Sequence, residues 1–298
     1  MPSRPRLQAV AIALALLTLY LVWGSTYLAI KIGLEGFPPF LMGAIRMAAA
    51  GGLLYVVLRW RGVPPPTRAQ WRSLAMLGLW MVLLANGLVN VAEQQVASGL
   101  AAIAVASMPL WAGLFAALRG RHPTRLEWTG LAVGFAGVAW LNAGSELSAS
   151  PLGLVCLLVA PIAWAWGSMV TMGSDLPDPF MTAAGQMLAG ALMMLVVGLA
   201  LGERIEAMPG PRAWGAVAYL ALFGSVLAFS AYAWLLRQVR PAVATSYAYV
   251  NPPVAVLLGV GLGGESLGVD SIAAMAVILA GVGLIALSRA GFSRARHQ

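Results

Sequence analysis

Residues 7–30 read LQAVAIALALLTLYLVWGSTYLAI, a run of 24 residues without a charged side chain. About 20 consecutive apolar residues in a helix cross the hydrocarbon core of a bilayer, so this stretch predicts a membrane-spanning helix. Its second half carries Trp23-Gly24-Ser25 followed by Thr26 and Tyr27, a polar and aromatic cluster within an otherwise aliphatic segment. Both features, the uncharged run and the cluster, recur further along the chain.

Similar uncharged runs make up most of the sequence. Hydrophobic residues form 60% of the 298 positions and charged residues 9%, against about 25% charged in soluble domains. This composition excludes a soluble globular protein and a disordered one. Eight further uncharged runs lie at 73–92, 94–118, 128–145, 147–174, 179–202, 213–236, 241–264 and 271–288, and a tenth apolar stretch, 36–58, carries one charge, Arg46. We therefore predict an all-α integral membrane protein with ten transmembrane helices.

The basic residues predict its orientation. Fourteen arginines fall on one side of a ten-span chain, against Arg204, Arg212 and the span-edge Lys31 on the other. Cytoplasmic loops carry the excess of Lys and Arg, so the fourteen-arginine side, with both termini, is predicted to be cytoplasmic. The net charge of +8 is thus a topology signal, whereas a nucleic-acid binder would cluster its charge on one face.

An internal repeat divides the chain into two halves. A shift of 143 residues aligns Trp23-Gly24-Ser25 with Trp166-Gly167-Ser168, and aligns Pro109 with Pro252. We predict a first five-helix repeat at 1–143, with spans 7–31, 38–59, 73–92, 96–118 and 127–143. The second repeat is predicted at 150–289, with spans 151–173, 179–201, 213–236, 241–263 and 271–289, before a basic cytoplasmic tail at 290–298. An odd number of spans inverts the second copy, as in many secondary transporters whose substrate site lies where the halves meet.

The chain resembles the EamA-type members of the drug/metabolite transporter superfamily. The resemblance covers nearly the whole chain and is carried by Trp23-Gly24-Ser25-Thr26-Tyr27, Arg46, the stretch ATSYAYVNPP at 244–253 and Gly264-Glu265-Ser266-Leu267. It implies an exporter of small metabolites in the bacterial inner membrane, often of amino acids. It also implies a central cavity surrounded by spans 1, 3, 4, 6, 8 and 9.

Polar residues at helical spacing are the candidates for lining that cavity, since lipid offers them no hydrogen bonds. One stripe on span 1 carries Tyr20, Trp23, Tyr27 and Lys31, and another on span 3 carries Asn86, Asn90 and Glu93. Structural roles compete, because serine and threonine often bond their own helix and methionine often only packs. The remaining candidates are Met108, Trp164, Trp166, Ser168, Thr171, Ser225, Tyr232, Thr245, Ser246 and Tyr249.

Three prolines and one arginine require separate explanations. Pro109, Pro252 and Pro253 lie mid-span and are predicted to kink their helices, either as pivots or as static bends. Arg46 is a charge deep in the membrane, which is costly unless it pairs. From the rise of 1.5 Å per residue we expect it at the depth of Asn86 and Asn90, bonded toward that stripe or Glu93.

The sequence favours a non-enzymatic protein without a cofactor or metal. The lone cysteine, Cys156, permits no intrachain disulfide, and the two histidines, His122 and His297, lie in a loop and the tail. No nucleophile or metal set converges in the spans, and no phosphate-binding GxxxxGK[ST] element is present. The expected partners are a small-molecule substrate and the lipid bilayer, and no nucleic acid.

The resulting hypothesis is a secondary transporter that works by alternating access. A cavity of aromatic and hydrogen-bonding groups suits small amphipathic metabolites, above all neutral or aromatic amino acids. Because aromatic faces also bind cations, export of cationic drugs is the main alternative, and a channel is a remoter one. Glu93 is the carboxylate placed for coupling to protons, and facilitated diffusion is the alternative to coupling.

Overall fold

The computed structural model describes residues 4–120, 124–143, 150–170, 174–239 and 246–295. The fold is all-helical, with 82% of residues in helices, and no strand occurs within these ranges. The all-α prediction is therefore confirmed.

The helices follow one another through short connections. The first half contains α1 (Arg4–Thr18, Leu19–Trp23 and Gly24–Gly33), α2 (Pro39–Trp60), α3 (Arg68–Leu77, Gly78–Gly87 and Leu88–Ala92), α4 (Ser98–Val105), α5 (Met108–Leu118) and α6 (Arg125–Ala143). The second half contains α7 (Pro151–Val170), α8 (Pro179–Ala200), α9 (Pro211–Tyr219, Leu220–Leu227 and Ala228–Gln238), α10 (Tyr247–Gly261) and α11 (Val269–Ala295).

Within the described ranges, seven helical stretches are long and apolar enough to cross a membrane. They are Leu7–Gly33, Pro39–Trp60, Arg68–Ala92, Ser98–Leu118, Pro151–Val170, Pro179–Ala200 and Pro211–Tyr232. Two shorter apolar helices follow, Val250–Gly261 and Val269–Leu284. The chain is thus a multi-helix membrane protein, while the predicted count of ten spans stays a prediction.

Proline and glycine set the helix ends. Proline opens α2, α7, α8 and α9, where its missing N–H costs no intrahelical hydrogen bond. Four glycines in the left-handed conformation follow α2, α5, α8 and α10, namely Gly62, Gly120, Gly202 and Gly264. A residue without Cβ adopts this conformation without strain, which explains why the helices stop there.

Two glutamates in the second half stabilise helix starts in the first half. Glu203, which follows Gly202, accepts hydrogen bonds from the backbone N–H groups of Phe40 and Leu41 at 3.1 and 2.8 Å. Glu265, which follows Gly264, accepts from the backbone N–H of Ser98 at 2.8 Å. Free N–H groups at a helix start attract a carboxylate, so each contact ties one half of the chain to the other.

Three helices contain π-helical segments, Leu19–Trp23 in α1, Gly78–Gly87 in α3 and Leu220–Leu227 in α9. A π segment widens the helix and frequently marks a functional site. All three segments flank the cavity described next.

Candidate functional site

A cavity of about 100 Å³ lies among helices from both halves of the chain. One water molecule needs only ~10–15 Å³ of such space. Helices α1, α3, α4, α5, α7, α9 and α10 contribute its wall, and α2 contributes one side chain. The aromatic, polar and larger side chains of the wall are Trp23, Thr26, Tyr27, Arg46, Asn86, Met108, Trp164, Phe229, Tyr247, Asn251 and Pro252.

Trp23 is the centre of the aromatic part of this wall. Its ring centroid lies 4.6 Å from that of Tyr247, 5.5 Å from that of Phe229 and 6.3 Å from that of Trp164. The three contacts are close to perpendicular, the edge-to-face geometry that aromatic pairs favour. Because these rings come from α1, α7, α9 and α10, the cluster joins both halves around the cavity.

The π segment of α9 positions two of the cavity's polar groups. The indole N–H of Trp23 donates to the carbonyl oxygen of Gly224 at 3.0 Å. The Nε of Arg46 donates to the hydroxyl oxygen of the neighbouring Ser225 at 3.0 Å. The predicted bond from Arg46 to the α3 stripe or to Glu93 was wrong, because the guanidinium reaches across to α9 instead. The expectation that Arg46 avoids lipid is confirmed, since its exposed fraction is 3%.

The three polar residues of the α3 stripe have different surroundings. Asn86 lines the cavity, and its side chain also bonds the carbonyl of Met81 at 2.6 Å. Asn90 lies outside the cavity wall and donates to the carbonyl of Pro39 at 3.1 Å. Glu93 also lies outside the wall, directly after α3, with an exposed fraction of 1%. No residue of the described ranges hydrogen-bonds its carboxylate oxygens.

Several predicted cavity residues contact the aromatic cluster or other helices without lining the cavity. Tyr232 packs against Trp23 with ring centroids 5.5 Å apart, and Tyr20 shares a hydrogen bond of 2.6 Å with Ser246. Trp166 contacts Trp80 and Phe115 on another side of α7, and Ser168 bonds its own helix at the carbonyl of Trp164. Thr171 and Thr245 lie outside the described residues, as does the side chain of Tyr249.

The mid-span prolines occupy two kinds of position. Pro109 lies at the start of α5, directly after the break at Ala106 and Ser107 that separates α4 from α5. Pro252 and Pro253 lie inside α10, and Pro252 lines the cavity. The helix interruption near Pro109 therefore lies at the cavity wall, which also includes Ala106 and Met108.

Four wall residues were not among the predicted cavity residues, namely Thr26, Phe229, Tyr247 and Asn251. The sequence held a signal for two of them. Tyr247 and Asn251 are four residues apart, so they share one face of α10. Both side chains are buried and carry a polar oxygen with no hydrogen-bond partner in the described part of the chain.

The chemistry available in the cavity is therefore binding. One buried cation, two side-chain amides, hydroxyl groups and aromatic faces surround it. Across the described residues, no three His, Cys, Asp or Glu side chains group to hold a metal ion.

Comparison with known proteins matches this architecture to a family. The model of the EamA-like transporter family matches the chain twice, at residues 10–143 and 151–287. The chain belongs to the EamA-like transporter family. The resemblance predicted from the sequence is thus confirmed, and the chain is a membrane transporter of the drug/metabolite type.

Individual relatives agree with this assignment. The chain is 45% identical over 276 residues to the inner membrane transporter YedA of Escherichia coli (strain K12), covering 92% of this chain and 90% of YedA. It is 24% identical over 260 residues to the transporter YoaV of Bacillus subtilis (strain 168), covering 84% of this chain and 88% of YoaV. A solved crystal structure shares the fold with a TM-score of 0.64 at 22% identity, covering 93% of this chain and 97% of that one.

Proposed function

We propose that the chain crosses the membrane ten times as two inverted five-helix repeats, at 1–143 and 150–289, followed by a cytoplasmic tail at 290–298. The double family match supports this arrangement. So do the π segments of α3 and α9, at 78–87 and 220–227, which overlap after the shift of 143 residues. The left-handed glycines after α2 and α8, and those after α5 and α10, are further equivalent pairs.

Packing between the halves supports a two-fold axis. A Cβ placed on Gly51 would lie 3.0 Å from the Cβ of Met187, and one placed on Gly43 would lie 2.5 Å from the sulfur of Met194. A two-fold axis makes such contacts reciprocal, and Met194 is the equivalent of Gly51 under the shift of 143. Helices α6 and α11 behave alike, since Gly134 meets Gly281 and Gly137 meets Val277.

The proposed location is the bacterial inner membrane, with both termini in the cytoplasm. The printed name of YedA places that relative in the inner membrane. The fourteen arginines on one side of the ten-span arrangement support the orientation through the positive-inside rule.

The proposed activity is export of small amphipathic metabolites, most of all neutral or aromatic amino acids, by alternating access to the central cavity. The observation that carries it is the cavity wall, in which aromatic rings surround a few hydrogen-bonding groups contributed by both halves. Rearrangement of one half against the other would expose such a cavity to either side of the membrane. We propose that Trp23, Tyr27, Asn86, Met108 and Trp164 contact the substrate.

A second set of residues is proposed to support this site. Ser225 and Tyr232 hold wall residues in place, and Pro109, Pro252 and Pro253 give α5 and α10 their bends. We propose that Glu93 takes up and releases a proton during transport. Its burial without a hydrogen-bond partner in the described ranges supports that role, and Lys31, Glu265 and Arg46 lie within electrostatic range of it.

Export of organic cations is the second candidate function. The observation in its favour is the group of rings at Trp23, Phe229 and Tyr247, whose faces attract a cation. The single charged side chain of the cavity wall, Arg46, repels one.

Counterflow in proteoliposomes tests the proposal. Vesicles containing the purified protein are loaded with unlabelled phenylalanine, and uptake of tritiated phenylalanine is compared with uptake of tritiated tetraphenylphosphonium. We expect saturable accumulation of phenylalanine. Accumulation of the cation without any of the amino acid would replace amino-acid export by cation export, and a non-saturable flux without counterflow would indicate a channel.

A further inference from the structure

We propose that Arg46 is the carboxylate-binding residue of the cavity, so that the transporter takes zwitterionic monocarboxylates of the amino-acid type. This inference rests on the proposed function and narrows its substrate class. It concerns a buried cation whose partners within the chain leave most of its donors unused.

The first step is the charge balance around Arg46. The side chain lines the cavity with an exposed fraction of 3%. Within the described residues, the carboxylates found within 4.0 Å of a basic nitrogen are Glu265, beside Lys31, and Glu35, beside Arg212. Arg46 thus has no salt-bridge partner in the described chain. A buried charge is costly without a partner, and the cavity is where a partner can enter.

The second step is the set of donors that Arg46 presents. A guanidinium has five N–H groups in a planar fork that fits a carboxylate with two parallel bonds. Its Nε is used by Ser225 at 3.0 Å, which fixes the plane of the group. The two terminal nitrogens carry the other four N–H groups. A Cβ added to Gly224 would lie 3.4 Å from Nη2, so a glycine at 224 keeps this edge of the guanidinium free.

The third step is the opposite polarity elsewhere in the same wall. Asn251 has an exposed fraction of 6%, and its side-chain oxygen has no hydrogen-bond partner in the described ranges. The hydroxyl of Tyr247, one helical turn away, is also without one there. These oxygens can accept from an ammonium group, while Trp23 and Phe229 offer apolar ring faces to a side chain. One fixed cation suits one carboxylate, whereas a phosphate dianion favours several basic partners.

A competition assay with the wild-type protein tests the inference. Counterflow of tritiated phenylalanine is challenged with unlabelled phenylalanine, phenylalaninamide, phenethylamine and 3-phenylpropionate. The amide and the amine keep the ring and the ammonium but lack the carboxylate. We expect each of these two to inhibit at least about tenfold more weakly than phenylalanine, since hydrogen bonds to charged groups have effects of that size.

Variants assign the effect to Arg46. Arg46→Gln removes the charge and is expected to abolish the preference for phenylalanine over phenylalaninamide, and Arg46→Lys keeps the charge without the fork and is expected to reduce it. Arg212→Gln removes an exposed charge near the start of α9 and is the matched control, with the preference unchanged. Ligand-induced shifts in Tm of the detergent-solubilised variants provide a second readout that needs no transport.

The outcomes separate the two proposals. If phenylalanine counterflow saturates but phenylalaninamide inhibits equally well, the role of Arg46 is wrong and the proposed function stands. If the preference survives in Arg46→Lys and in Arg46→Gln, another residue binds the carboxylate and the inference is overturned. If wild-type protein neither exchanges phenylalanine nor any other neutral amino acid, the proposed function fails and the inference fails with it.

Discussion

Buried side-chain amides on α3 and α10 differ in whether they have partners. Asn90 holds the start of α2 through the carbonyl of Pro39, whereas the oxygen of Asn251 faces the cavity region without a partner in the described ranges. A buried polar atom without a partner is costly, so it usually persists for a reason other than stability. We assign Asn90 to structure and Asn251 to substrate binding.

Replacement of each asparagine by alanine separates these roles. Asn251→Ala is expected to raise the KM for phenylalanine by about tenfold, the effect of one lost hydrogen bond of about 1.4 kcal/mol, with Tm unchanged. Asn90→Ala is expected to lower Tm and leave KM unchanged, because it removes a helix-to-helix bond outside the cavity. Proteoliposome kinetics and thermal unfolding in detergent measure both quantities. The opposite pattern would exchange the two assignments.

Helical spacing predicted which residues share a face but not which neighbour that face meets. It placed Asn86, Asn90 and Glu93 in one stripe, yet only Asn86 lines the cavity. The same limit applies to Trp166, which faces Trp80 and Phe115. These directions depend on how helices distant in sequence pack, and a local pattern holds no information about that packing.

At the scale of elements, the π segment of α9 determines the shape of the cavity wall. It offers the carbonyl of Gly224 to Trp23 and the hydroxyl of Ser225 to Arg46. A Cβ at Gly224 would lie 2.9 Å from a methyl carbon of Thr26, another wall residue. The segment therefore depends on having no side chain at position 224.

Glycine substitutions on α9 test this dependence. Gly224→Ala is expected to displace Thr26 or Arg46 and to reduce transport severalfold. Gly215→Ala lies on the same helix, where an added Cβ meets nothing within 4 Å, so it is expected to leave transport unchanged and to stabilise the helix by up to ~1 kcal/mol. Initial transport rates and Tm are the measurements. Equal transport by the two variants would show that the π segment does not shape the site.

The glutamate caps are the second element-scale feature. Glu203→Ala leaves two N–H groups at the start of α2 without their acceptor, so we expect stability to fall by about 1 kcal/mol. Glu206→Ala, three residues further along the same loop, removes an exposed carboxylate and is expected to leave stability unchanged. Thermal unfolding in detergent compares the two. A similar Tm for both variants would contradict a stabilising cap.

Element boundaries were predictable where local chemistry sets them. Pro151 and Pro179 begin α7 and α8 at the predicted positions. Helix α3 begins at Arg68, five residues before the predicted 73, because Thr67 and Gln70 form a capping box that a hydropathy run does not register. The π segments were not predicted, since they arise from packing around the cavity and have no simple sequence signature.

At the scale of the whole molecule, the inverted repeat explains why the cavity has a wall from both halves. Reporter fusions test this arrangement, because an odd number of spans per repeat places residue 146 and the two termini on different sides. We expect reporters active in the cytoplasm at both termini, and a reporter active in the periplasm after residue 146. A C-terminus located in the periplasm would contradict the inverted arrangement.

The central claim is that one cavity between the two halves opens to each side of the membrane in turn. Ala85→Cys in a Cys156→Ala background places a single thiol in the cavity wall. Membrane-impermeant maleimide is applied to vesicles of either orientation, with and without phenylalanine. The account predicts labelling from both sides and slower labelling in the presence of phenylalanine. Labelling from one side only, unaffected by phenylalanine, would contradict it.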